Sequence, residues 1–215
     1  MGVRSRFVSV VVAGGSLALF AVPAAQADRT VEADGNPAQG GLQFDPADIR
    51  VAVGDKVTWV NTDTTVPHTA TENHGLWDLT GTYGVPGNYG FGPAEKRSRK
   101  FEAGTQSYYC KVHPTQMRGV VRVPVKAHVE SLLYGKRKIV MRWTTKPPAT
   151  GQVYDVQLKR AGETNWRKFR TGTREQHGAR QTGGQKVTWS IRARLRKASD
   201  ASQATGWSPV VRVQA

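Results

Sequence analysis

One cysteine stands in 215 residues, so no disulfide can form within the chain. Methionine is nearly as scarce, at three, and acidic residues are outnumbered 16 to 31 by Lys and Arg. No phosphate-cradling glycine loop, zinc-type cysteine pair or nucleophile elbow occurs, which removes P-loop nucleotide chemistry, structural zinc and α/β-hydrolase chemistry from consideration. Helical periodicity is rare, whereas Val, Thr, Gly and Pro recur between short alternating runs. The expected class is all-β.

Only one long apolar run exists, residues 7–22, preceded by Arg4 and Arg6 and followed by Ala25-Gln26-Ala27. This reads as a secretory signal peptide over residues 1–27. A retained anchor needs about 20 apolar residues, and Gly14, Gly15, Ser16 and Pro23 break the run. Arg4-Ser5-Arg6 is not a consecutive arginine pair, so general secretion is expected rather than twin-arginine export. No cysteine near the cleavage site offers a lipid attachment point. The mature chain is therefore expected outside the cell or at its envelope, soluble, with no transmembrane segment. A free thiol oxidises there unless something binds it.

Charge divides the remainder. Residues 28–125 hold 10 Lys and Arg against 11 Asp and Glu, while residues 126–215 hold 19 against 5. Such asymmetry marks two domains with different partners. In the first, "IRVAVGDKVTWVN" alternates on both sides of Gly54-Asp55 and is expected to form a hairpin. "SRKFEAGTQSYYC" repeats the pattern around Gly104, and "GVVRVPV" supplies a last strand. Residues 75–93 show no period but contain Trp77, Tyr83, Tyr89 and Phe91, which points to a long ordered loop.

The single cysteine lies in "YYCKVHPTQMRG", with His113 three residues after Cys110 and Met117 four beyond that. Each alone has an ordinary reading as core filler or turn residue. Together, on a strand end and its loop, three side chains can converge, and His68 in "NTDTTVPHTAT" offers a fourth from a neighbouring strand. A thiolate, two imidazoles and a distant thioether suit copper, since soft sulfur favours Cu(I) and imidazole tolerates Cu(II). Little reorganisation per electron is then needed.

These residues also carry a resemblance. "GDKVTWVNTD", "PHTAT" and "FEAGTQSYYCKVHPTQMRGVVRV" resemble, in order, the strand pair, first-histidine loop and ligand loop of the cupredoxins, the type 1 blue copper proteins that include plastocyanin and amicyanin. The likeness covers residues 45–124. It implies a Greek-key β-sandwich with one copper ion at one end, held by His68, Cys110, His113 and Met117. Residues 75–93 depart from the pattern, and His74 has no matching position. In this reading the Thr69 backbone N–H bonds the Cys110 sulfur, and the Val112 N–H makes a second such bond.

The second half supplies "HVESLLYG", "RKIVMRW", "VYDVQLKR", "NWRKFR", "KVTWSIRARLRK" and "SPVVRV", short strands at the spacing of a β-sandwich. They resemble a fibronectin type III domain over residues 126–215, with Trp143 as its early core tryptophan, Tyr154 on the next sheet, and Trp189 where that family usually has tyrosine. Ile191, Ala193 and Leu195 should face inward and leave Arg192, Arg194 and Arg196 in a row, with Trp207 stacked between them. A net +14 module outside the cell meets anionic cell-wall polymer or another acidic surface. Nucleic acid is not its expected ligand, because no stacking platform or recognition helix is apparent.

The whole reads as an exported copper protein that passes single electrons, not an enzyme, since four ligands leave the metal no open position. Two other functions fit the same residues: a copper scavenger or carrier without electron transfer, and an adhesion module with no working metal.

Overall fold

A computed structural model describes residues 29–34, 41–81 and 90–215. The signal-peptide segment and Tyr83 and Tyr89 lie outside the described residues. Eight strands come first: β1 (Arg29–Asp34), β2 (Gln43–Asp45), β3 (Asp48–Arg50), β4 (Lys56–Asn61), β5 (Thr71–Glu72), β6 (Lys96–Lys100), β7 (Gly104–Tyr109) and β8 (Arg118–Val123). They form two four-stranded sheets, ordered β2-β1-β4-β6 and β3-β8-β7-β5. Seven more follow: β9 (Lys126–Ser131), β10 (Arg137–Arg142), β11 (Gln152–Arg160), β12 (Arg167–Thr173), β13 (His177–Thr182), β14 (Thr188–Lys197) and β15 (Val211–Gln214). These make a three-stranded sheet, β13-β10-β9, and a four-stranded one, β12-β11-β14-β15. The protein is all-β, and among the described residues no helix is long and apolar enough to cross a membrane.

The expected hairpin around Gly54 does not form. β3 pairs in parallel with β8, whereas β4 pairs with β1 and β6 in the other sheet. The alternation itself holds, since Val51, Val57 and Trp59 are all buried. It cannot distinguish two strands paired with each other from two that face each other across one core. The turn therefore carries the chain between sheets, and β6 to β7 crosses again in the same way. Inside, Phe44, Trp59, Trp77, Phe101 and Tyr108 form an aromatic cluster with ring centroids 4.9 to 5.9 Å apart. Trp77 and Phe91, from the aperiodic stretch, are buried in this core.

In the second sandwich, β14 alternates as expected, with Ile191, Ala193 and Leu195 buried beside Trp143, Tyr154 and Val156. The strand β13 was not expected. Its "HGARQT" offers one apolar side chain, Ala179, because it is a half-exposed strand at the edge of its sheet. "HVESLLYG" is strand only to Ser131; residues 133–135 form a 3-10 turn whose Tyr134 adopts φ 56°.

The two sandwiches interlock at the start of β7. Thr105 and Gly206 exchange backbone hydrogen bonds of 2.9 Å, and the Thr105 hydroxyl donates to the Trp207 carbonyl at 2.8 Å. The Thr145 N–H donates to Glu102 Oε2 at 2.9 Å, and Gln152 Nε2 donates to the Leu76 carbonyl at 2.6 Å. Gly54, at φ 91°, has no room for a side chain there, because a Cβ would sit 2.7 Å from Thr145 Cγ2. Cys110 follows the far end of β7, about 20 Å along the strand at roughly 3.3 Å per residue. The second sandwich thus anchors at the opposite end of the strand that delivers the thiol.

Candidate metal centre

Local hydrogen bonding fixes the loop that carries His68 before any metal is considered. Buried Asn61 at the end of β4 donates from Nδ2 to the carbonyls of Val66, 2.9 Å, and Phe91, 2.8 Å. Its Oδ1 accepts the Asp63 N–H at 2.8 Å, and Asp63 Oδ1 accepts the Thr65 N–H at 2.7 Å and its hydroxyl at 2.9 Å. Successive Asx turns of this kind replace the missing ladder bonds of a strand that has ended. His68 then pairs with Phe91 through backbone bonds of 3.1 and 2.8 Å. Gly90 permits that approach. It sits at φ 77°, and a Cβ would lie 2.4 Å from the His68 carbonyl oxygen.

Cys110 and His113 come from the loop between β7 and β8. Cys110 N–H donates to the Met117 carbonyl at 3.0 Å, and Met117 N–H donates to the His113 carbonyl at 3.0 Å, which closes the loop on itself. The Lys111 N–H donates to Thr69 Oγ1 at 2.7 Å and ties this loop to the one holding His68. Ligand atoms of His68, Cys110 and His113 consequently lie within 4.8 Å of one another. Met117 is fully buried on the same loop. His74 does not join the cluster.

The polar atoms are arranged for a guest. Cys110 Sγ is fully buried and accepts the Thr69 N–H at 3.4 Å, as the sequence led us to expect. Val112 N–H makes no second bond to it among the described residues; Val112 is an exposed residue of the loop. His68 Nε2 faces Asp63 Oδ2 at 3.5 Å, while Nδ1 faces Cys110 Sγ at 3.8 Å. Desolvation pushes the Asp63 carboxyl up, but hydrogen bonds from Thr65 and Val66 outweigh it and hold the group below its ordinary range. Asp63 is therefore a carboxylate, and it favours the His68 tautomer protonated on Nε2. Burial, aided by the neighbouring His113, holds the His68 imidazole below its usual pKa against the pull of Asp63. Its Nδ1 lone pair is thereby left free toward the thiol. His113 Nδ1 is buried and has no hydrogen-bond partner.

A buried thiol, a neutral imidazole with its Nδ1 aimed at the sulfur, and a second buried imidazole nitrogen without a partner make a poor apolar core and a good soft-metal site. The residues fit one type 1 copper ion, which would supply a one-electron cycle between Cu(I) and Cu(II). Asp63 was missed in the sequence. The signal was present, since an Asp two residues after a strand-ending Asn makes a turn, but its reach to His68 required the folded loop.

Residues 30–124 match the model of the copper binding proteins of the plastocyanin/azurin family. Solved structures of amicyanin are also similar. A Cu(I) amicyanin variant is 28% identical over 45% of this chain and 82% of its own, with a TM-score of 0.32. An oxidised variant is 29% identical over 47% and 86%, with a TM-score of 0.32, and a reduced variant is 30% identical over 44% and 79%, with a TM-score of 0.31. The family match and the convergence of two imidazoles on one buried thiol agree, and residues 30–124 are a copper-binding cupredoxin domain of the plastocyanin/azurin family.

Proposed function

We propose that this chain is an exported single-electron carrier, and not an enzyme, whose copper is held by His68, Cys110 and His113 with Met117 as a weak axial donor. The observation that carries the reading is the buried, unpartnered His113 Nδ1 beside a thiol and a second imidazole nitrogen. Each residue has a distinct part. Cys110 gives the charged soft ligand, and the Thr69 N–H stabilises that charge. Asp63 orients His68. Met117, buried and tied by its backbone to both Cys110 and His113, would supply the fourth and weaker donor. A site built this rigidly changes little between oxidation states, which keeps the reorganisation cost of electron transfer low.

We further propose the division into residues 28–125 and 126–215, with the second part a basic module of the fibronectin type III kind. Its three-plus-four strand arrangement and the core positions of Trp143 and Tyr154 support that assignment. In this reading it holds the carrier at an anionic cell-wall polymer or acidic surface outside the cell, with no nucleic acid involved. The test of the electron-carrier reading is Cu(II) addition followed by voltammetry of the full chain. A reversible one-electron wave supports it, whereas copper that binds but cannot be cycled turns the protein into a carrier or scavenger of the metal.

A further inference from the structure

The second sandwich contains a cleft of about 500 Å³, lined by Arg160, Arg167, Arg180, Glu163 and Trp189 among others. Arg180 reaches it from the edge strand β13, and Trp189 from β14. The Arg180 guanidinium lies 4.7 Å from the Trp189 ring centroid, so its charge is held over the indole face. Two of the lining residues carry a buried donor without an acceptor, Arg180 at Nε and Trp189 at Nε1. Buried donors without acceptors are uncommon in folded proteins, and two meet here on one charged cleft.

The carboxylate at hand is already engaged. Glu163 pairs with Arg167 at 2.5 Å and accepts the Arg160 backbone N–H at 3.2 Å. Three arginines against one glutamate give the lining side chains an excess of positive charge beside an aromatic wall. From this we propose that the cleft is a binding site for an oxyanion, the phosphate or carboxylate group of an acidic polymer. The proposal rests on the attachment reading above and gives it a location. Oxygen atoms of the ligand accept from the outer nitrogens of the Arg180 guanidinium, which the Trp189 ring holds in place, while Arg160 and Arg167 supply charge at the mouth.

The proposal differs from the arginine row that the sequence suggests. Arg192 donates twice to Gln157 Oε1, at 3.0 and 2.7 Å, and Arg194 and Arg196 both pair with Asp155, at 3.2 and 3.0 Å. Trp207 stacks against Arg192 at 4.4 Å and Arg194 at 4.7 Å, with Trp166 on the other side of Arg192 at 4.1 Å. Those guanidiniums are spent within the fold. An inward-pointing charge on an edge strand also discourages strand-to-strand aggregation. If that were its whole task, changing Arg180 would leave anion binding untouched.

The test is calorimetry on the full chain at low salt with inorganic phosphate, acetate, polyphosphate and polygalacturonate, the pairs separating phosphate from carboxylate. Arg180→Gln should weaken binding by roughly tenfold or more, the loss expected of a charge-assisted hydrogen bond. Arg142→Gln, which removes the same charge at the other end of the neighbouring strand β10, should weaken it much less. Trp189→Phe leaves a smaller ring under the Arg180 guanidinium and should weaken binding less than Arg180→Gln does, with circular dichroism confirming an intact fold. Equal weakening by Arg180→Gln and Arg142→Gln would overturn the cleft and leave attachment by diffuse charge. Binding of free phosphate or acetate that depends on Arg180, without binding of either polymer, would uphold the cleft and overturn the attachment reading. No binding of any anion would overturn both.

Discussion

The two sandwiches each hold buried polar atoms without partners, and they differ in what can reach them. In the first, the buried, unpartnered His113 Nδ1 and the Nδ1 of His68 gather around a fully buried thiol. Only a small ion fits among donors within 4.8 Å of one another. In the second, Arg180 and Trp189, each with a buried N–H that has no partner, line a cleft of about 500 Å³ that is open to larger groups. Net charge follows the same division, near neutral in residues 28–125 and strongly positive in residues 126–215. Where unsatisfied groups gather beside a thiol or in a charged cleft, their enclosure and the charge around them separate the two kinds of ligand proposed.

If the two sites are separate, changes in one should leave the other intact. The largest effect is expected from Cys110→Ser. An alcohol neither ionises readily nor donates charge as sulfur does, so the intense red-region absorption of the Cu(II) protein should vanish. Polyphosphate binding by the same variant should be unchanged. Next comes Gly90→Val, which forces a β-branched residue into φ 77° and a Cβ to within 2.4 Å of the His68 carbonyl. A cost of about 2 kcal/mol or more is expected from the backbone alone, read as a lowered unfolding midpoint and weaker copper retention.

Much of the first site was legible because its chemistry is local in sequence. Cys110, His113 and Met117 lie within eight residues, and His68 follows a recognisable strand. The cleft was not legible. Arg160, Arg167, Arg180 and Trp189 come from four strands, and β13 itself carries too few apolar residues to announce a strand. The reverse error occurred at Arg192, Arg194 and Arg196. Their alternation on β14 was read correctly, but Asp155 and Gln157 on the paired strand β11 could not be placed opposite them without the register. Register also explains the false hairpin at Gly54, since burial alternates identically whether two strands pair or face each other.

Smaller effects sharpen the contrast further. Trp207→Ala removes the contacts to Arg192 and Arg194, each contributing about 0.5 to 1 kcal/mol. Chemical denaturation should show that loss while anion affinity stays within twofold. Met117→Leu should keep the colour and raise the reduction potential, because losing a weak axial donor costs the oxidised metal more than the reduced one. A lowered potential would remove Met117 from the ligand set.

The smallest effect is expected where the sandwiches meet. Burial pushes the Glu102 carboxyl up despite its hydrogen bonds to Thr145. A carboxyl whose folded pKa exceeds its unfolded value binds its proton more tightly in the fold. Its contribution is complete below the ordinary glutamate value of 4.5 and is lost as pH rises through the raised value. Stability should therefore gain slightly as pH falls from neutral toward 4.5, and Glu102→Gln should flatten that part of the profile in thermal melts.

The most direct measurement is a titration of the full chain with Cu(II), followed by visible absorption and then by electrochemical reduction. One equivalent should bind, produce an intense thiolate-to-copper band in the red, and lose and regain that band over repeated one-electron cycles. Copper uptake with no such band, or a band that persists in Cys110→Ser, would contradict the assignment of His68, Cys110 and His113 as the metal centre.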